Sequence, residues 1–174
     1  MSSWLSFYVM LGSSAAALIG LQFVVMALIG NMRRSATMAT IDAFGTPTLA
    51  HLGSALLVSA IMSAPWPSLV PVAVALLGCG LGGLGYAVLV IHRVRRQTGY
   101  EADWEDWLWY AVVPFSLYVA LAAGGLMLPT ANHVAPFVVG GAALGLLLLG
   151  IRNSWDSITY VVAGEHGDPG GHRP

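Results

Sequence analysis

The sequence predicts an all-α, polytopic helical membrane protein: a five-transmembrane-helix bundle with its N-terminus outside and its C-terminus in the cytoplasm. Three observations carry that expectation. Hydrophobic residues make up 57% of the 174 residues and charged ones only 9%, whereas about a quarter of a soluble domain is charged. The apolar residues fall in successive runs near or above the roughly 18 residues that a spanning helix needs. Lysine is absent, and six of the seven arginines lie in or beside the loops after the first, third and fifth runs, with the seventh in the tail. Basic residues in short loops mark the cytoplasmic side, so an odd number of spans places the N-terminus outside.

The first span covers about residues 4–29 and closes at Gly30-Asn31-Met32-Arg33-Arg34. No side-chain charge precedes it, so it is expected to be a retained span and not a cleaved signal peptide. The connector at about residues 35–44 holds Asp42 and is expected to include a short interfacial helix with Met38 and Ile41 on one side. Span two, about residues 46–64, follows Gly45 with Pro47 in its first turn, where a missing N–H matters little. It ends in the uncharged turn Ala64-Pro65-Trp66-Pro67.

Span three, about residues 68–91, is dense in glycine and ends in His92-Arg93-Val94-Arg95-Arg96. An acidic, tryptophan-rich run from Glu101 to Trp107 leads into span four, about residues 107–128, with Trp104, Trp107 and Trp109 forming an interfacial belt. Span five covers about residues 134–151 and continues toward Arg152 and Asp156, which are spaced to pair on an extended helix. Residues 1–163 thus form the membrane domain, and the Gly-, Pro- and His-rich tail 164–174 is expected to be disordered in the cytoplasm.

Within lipid, helices associate where small residues let backbones approach. Gly12 and Gly20 in span one, Gly78 and Gly82 with Gly85 in span three, Ala120 and Gly124 in span four, and Gly141 and Gly145 in span five are the expected packing positions. Five short spans bury few faces, so some of these glycines are expected to serve a homo-oligomer or contact with another membrane protein. The net charge of -1 gives no basic field that would attract nucleic acid.

On a helix of 3.6 residues per turn, Thr48, His51, Ala55, Ser59 and Ser63 fall in one sector of about 120° along span two. Read functionally, this is a wetted path for an ion or small polar solute, with His51 able to change charge near neutral pH at its inner mouth and Gln22 of span one narrowing it. The plainer reading has each hydroxyl bonded to its own backbone. Gln22 itself must find partners, and Ser54, Ser59 and Tyr86 are the expected ones. No Asp, Glu or Arg lies deep in a span, which speaks against ion-coupled pumping.

At the cytoplasmic rim, Arg33, Arg34, His92, Arg93, Arg95, Arg96 and Arg152 offer an anion or lipid head-group surface, although ordinary positive-inside anchoring is the favoured account of them. No metal site is expected: Cys79 is the only cysteine, and His166 and His172 sit apart in the tail. The chain lacks H-E-x-x-H, G-x-S-x-G, a P-loop and paired intramembrane carboxylates, so neither catalysis nor a cofactor is expected.

Three stretches, residues 15–24 (AAALIGLQFV), 47–52 (PTLAHL) and 151–156 (IRNSWD), resemble a group of small bacterial integral membrane proteins without an established activity. The resemblance implies a multi-pass protein of the bacterial inner membrane and carries no site residues. A small channel or facilitator is the expected function, with an accessory subunit of a larger membrane complex as the alternative.

Overall fold

A backbone in hydrocarbon has no water to bond, so an apolar run must satisfy its own N–H and C=O groups, and a helix does this within one segment. The computed structural model describes residues 2–32, 38–96, 104–131 and 133–165. The chain forms α1 (Ser2–Met32), α2 (Met38–Ser63), α3 (Leu69–Arg96), a short α4 (Trp104–Trp107) continuing through a π-helical turn (Leu108–Val112) into α5 (Val113–Met127), and α6 (Ala135–Glu165). Five segments are long and apolar enough to cross a membrane: Trp4–Leu28, Thr46–Ser63, Leu69–His92, Leu108–Met127 and Ala135–Asp156. Among the described residues there is no strand.

Burial is distributed as expected for a protein dissolved in lipid. Phe23 is 61% and Phe137 66% exposed, while Gln22 is 5% and His51 4% exposed. Large apolar side chains facing out and polar ones facing in make sense only when the surroundings are apolar. The chain is therefore a multi-pass membrane protein.

α2 lies between α1 and α6, α6 also packs on α5, and α5 carries α3 on its far side. α2, α6, α5 and α3 thus form a four-helix ring, with α1 laid against α2 and, less extensively, α6. The seam between α2 and α3 is the lightly packed side of the ring, although a short hairpin joins the two helices. That hairpin is tied by Trp66, whose Nε1 donates to the Ile61 carbonyl at 2.7 Å. At the same end, Trp4 meets Phe137 edge-on at 4.6 Å, and the Tyr8 hydroxyl donates to the Pro136 carbonyl at 3.0 Å, fastening the start of α1 to the start of α6.

Three local expectations need correction. The connector does not form a separate interfacial helix: Met38 and Ile41 belong to the first turns of α2. Pro47 consequently lies inside α2 and not at its first turn. It leaves one carbonyl a turn earlier without its usual donor, which membrane helices tolerate when neighbouring groups re-satisfy it. Span four is not a plain α-helix either, because Pro114 offers no N–H to its preceding turn; the Val113 N–H reaches back to the Leu108 carbonyl, opening the turn to π geometry. α6 continues past span five to Glu165, in keeping with the extended last helix on which Arg152 and Asp156 were expected to pair. Residues 166–174, Arg33 and Arg34 lie outside the described residues.

The packing glycines divide sharply. A Cβ at Gly12 would sit 3.0 Å from Ser59 Cβ, and one at Gly145 2.5 Å from Leu117 Cδ2. Both therefore pack inside the chain as expected. Gly20, Gly78, Gly82 and Gly141 have open space where a Cβ would point, so they are not intramolecular packing positions. In α3 the close approach instead uses Gly80, where a Cβ would lie 2.7 Å from the Ala122 backbone nitrogen, and Gly83, where it would run into the Tyr118 ring. These two glycines let α3 and α5 come together. On a 3.6-residue helix, Gly78, Gly82 and Gly85 fall on the opposite side.

Candidate functional site

The polar sector of α2 faces the bundle. Thr48 is 0%, Ala55 0% and Ser59 2% exposed. Its members meet different neighbours. Ser59 packs under Gly12 of α1 and donates to the Ala55 carbonyl at 2.8 Å, so its hydroxyl is satisfied on its own helix. Ser63, near the hairpin, has its hydroxyl oxygen buried without a hydrogen-bond partner.

His51 is the centre of the sector. Its Nδ1 lies 3.0 Å from the Tyr118 hydroxyl on α5. That hydroxyl is also 3.1 Å from Ser54 Oγ, which donates to the Ala50 carbonyl at 2.7 Å. The Tyr86 ring on α3 stands edge-on to the imidazole, with centroids 6.4 Å apart. The cluster therefore joins α2, α5 and α3 beside the loosely packed seam. His51 follows Thr46 by five residues, or about 7–8 Å along the helix.

Gln22 is buried as expected but has a different partner. The Ser154 hydroxyl on α6 lies 3.1 Å from its side-chain amide and also reaches the Gly150 carbonyl at 3.0 Å, so its single proton is shared or the amide donates to it. This partner is available because α6 continues past residue 151 and carries Ser154 alongside α1. Gln22 and Ser154, together with the buried Asn153, form a polar layer beyond His51, toward the end of the bundle where Arg152 lies.

Arg152 does not present a bare charge. Its guanidinium carbon lies 4.0 Å from the centre of the Trp109 ring, and its Nε is 3.7 Å from Asp156 Oδ2. Trp109 belongs to the π-helical turn, which brings the ring over the arginine. A half-exposed pair of this type contributes little to stability, whereas the cation–ring contact fixes the orientation. His92 is exposed at the end of α3. α3 carries Arg93, Arg95 and Arg96 in its last turn. Among the described residues, no three His, Cys, Asp or Glu side chains are grouped to hold a metal ion.

The sequence reading missed Tyr118. A phenol in mid-span needs a partner for its hydroxyl, and that requirement marks Tyr118 as firmly as it marked Gln22. Fold and site together define a small multi-pass helical membrane protein with a histidine–tyrosine–serine cluster inside its bundle. Comparison with protein-family models, curated proteins and solved structures gives no match.

Proposed function

We propose that the chain is a passive facilitator for a small polar solute, embedded in a bacterial inner membrane with its N-terminus outside and its arginine-bearing end in the cytoplasm. The observation that supports this reading best is the His51, Ser54 and Tyr118 cluster. It places three polar side chains beside the least packed seam of the ring. Gln22 and Ser154 lie on one side of it and Ser59 and Ser63 on the other, so polar groups recur along the interior. In this conformation the path is closed at two places, where Ser59 packs against Gly12 of α1 and where His51 bonds to Tyr118 of α5. Passage would need α2 to shift against α1 as well as at its seam with α3; polar side chains would then replace part of the solute's hydration.

Flux of potassium, sodium, chloride, protons and methylammonium into liposomes carrying the purified protein tests this. A saturable flux that His51→Ala changes several-fold, and Ser59→Leu reduces, is expected. The absence of flux for every probe would remove the facilitator reading.

One observation favours a second reading, a homo-oligomer or membrane adaptor. Gly78, Gly82 and Gly85 leave a groove on the outer face of α3, flanked by the exposed Val74, Leu81 and Leu89, and none of the described helices fills it. Small residues four apart on a lipid-facing side are the usual means of bringing two membrane helices together. Gly82→Leu is expected to turn a cross-linkable oligomer into a monomer without unfolding it. A wild-type protein that is monomeric in membranes at every density would dispose of the oligomer.

A further inference from the structure

The hydrogen bonds around His51 fix where its proton sits. A serine hydroxyl carries one proton, and a carbonyl oxygen can only accept, so the 2.7 Å bond from Ser54 to Ala50 uses the Ser54 proton. The 3.1 Å contact between Ser54 and Tyr118 then has one possible donor, the Tyr118 hydroxyl. With its own proton committed to Ser54, the Tyr118 oxygen can only accept from His51, across 3.0 Å. The chain runs in one direction, from His51 Nδ1–H to Tyr118 to Ser54 to the Ala50 carbonyl, and the backbone carbonyl at its end sets the polarity. Reversing the first bond would place two lone pairs against each other at Ser54 and Tyr118. Network arguments of this kind are how a histidine tautomer is assigned.

A neutral imidazole with its proton on Nδ1 has a bare lone pair on Nε2. The two ring nitrogens point in widely divergent directions, so this lone pair is aimed away from Tyr118. We propose that His51 presents an unprotonated Nε2 to the path, which therefore takes a small hydrogen-bond donor of the ammonium or amine class and not an anion. The solute class rests on the facilitator reading, whereas the direction of the hydrogen-bond chain stands on geometry alone. The surroundings agree in sign. No arginine lies within the apolar runs to attract an anion.

Nitrogen-15 NMR of the histidine side chains in bilayers tests the tautomer, with the His51 resonances among the five histidines assigned by their loss in His51→Gln. The expected result is a proton on Nδ1 and none on Nε2. Tyr118→Phe removes the acceptor and should return the ring to the Nε2–H form that histidine ordinarily prefers. Ser54→Ala should do the same, because Tyr118 is then free to donate to Nδ1. Nε2–H in the wild-type protein would overturn the proposal without requiring either variant to fold. Titration with methylammonium should shift the Nε2 resonance saturably, and formate should not. A formate-induced shift equal to that of methylammonium overturns the solute class. A methylammonium shift without any flux supports the site and overturns the facilitator reading, so the two fail separately.

Discussion

Replacing Gly83 by valine is expected to separate α3 from α5 and leave little folded protein. Gly83 lies directly against the Tyr118 ring, and the added Cβ would occupy the position of ring atoms. Tyr118 is 1% exposed and holds two hydrogen bonds through its hydroxyl, so the ring cannot swing away without breaking the cluster. Nor can α3 withdraw locally, because Gly80 meets the backbone of Ala122 one turn earlier and Gly125 lies close to Leu77 and Ala73. Overpacking usually costs about 1–3 kcal/mol and more where the neighbour cannot yield, and this neighbour cannot. Gly20→Val in α1 is the control, since open space surrounds Gly20 and valine has a somewhat better helix propensity than glycine. Denaturant-driven unfolding in micelles, followed by helicity, should show the Gly83 variant destabilised by at least about 3 kcal/mol and the Gly20 variant nearly unchanged. Equal stability of the two would mean that the α3–α5 contact is not made through Gly83.

Those two glycines also show where sequence reading reaches its limit. The positions of the spans were legible because lipid imposes one demand on every residue of a run, and each apolar run was answered by a helix. The bundle-facing sector of α2 was legible too, since Thr48, His51 and Ser59 are polar in a run that is otherwise apolar. Which glycines of α3 pack was not. That helix has glycine at 78, 80, 82, 83 and 85, covering two opposite sides, and spacing alone favours Gly78 and Gly82. The choice is made by the bulk of Tyr118 on another helix. Tyr118 escaped notice because tyrosine counts as apolar in composition, although its hydroxyl carries the same bonding requirement as an amide. The partner of Gln22 depended on α6 extending past residue 151, and Pro47 stands inside a helix whose first turns look like a loop in the sequence.

The direction of the hydrogen-bond chain makes an asymmetric prediction for stability. Tyr118→Phe removes the oxygen that accepts from His51 and leaves a desolvated imidazole N–H with no partner, which costs about 1–3 kcal/mol when buried. Shifting the proton to the other ring nitrogen replaces an unpaired donor by an unpaired acceptor and does not recover the loss. His51→Leu acts differently. The Tyr118 hydroxyl still donates to Ser54, and Ser54 still donates to Ala50, so only one acceptor site on an already bonded oxygen goes unused. The side chain that replaces the ring is apolar and close in volume. This variant should lose less than about 1 kcal/mol, in keeping with the modest net value of most hydrogen bonds between membrane helices. The double variant then follows from removing both partners, which leaves nothing unpaired. It should be more stable than Tyr118→Phe alone and close to His51→Leu, a strong departure from additivity of the kind that contacting residues show. Unfolding of the four proteins in the same micelles decides it. Losses that simply add would place His51 and Tyr118 in separate environments, whereas recovery of Tyr118→Phe by His51→Leu would show that the two side chains are coupled through their shared hydrogen bond.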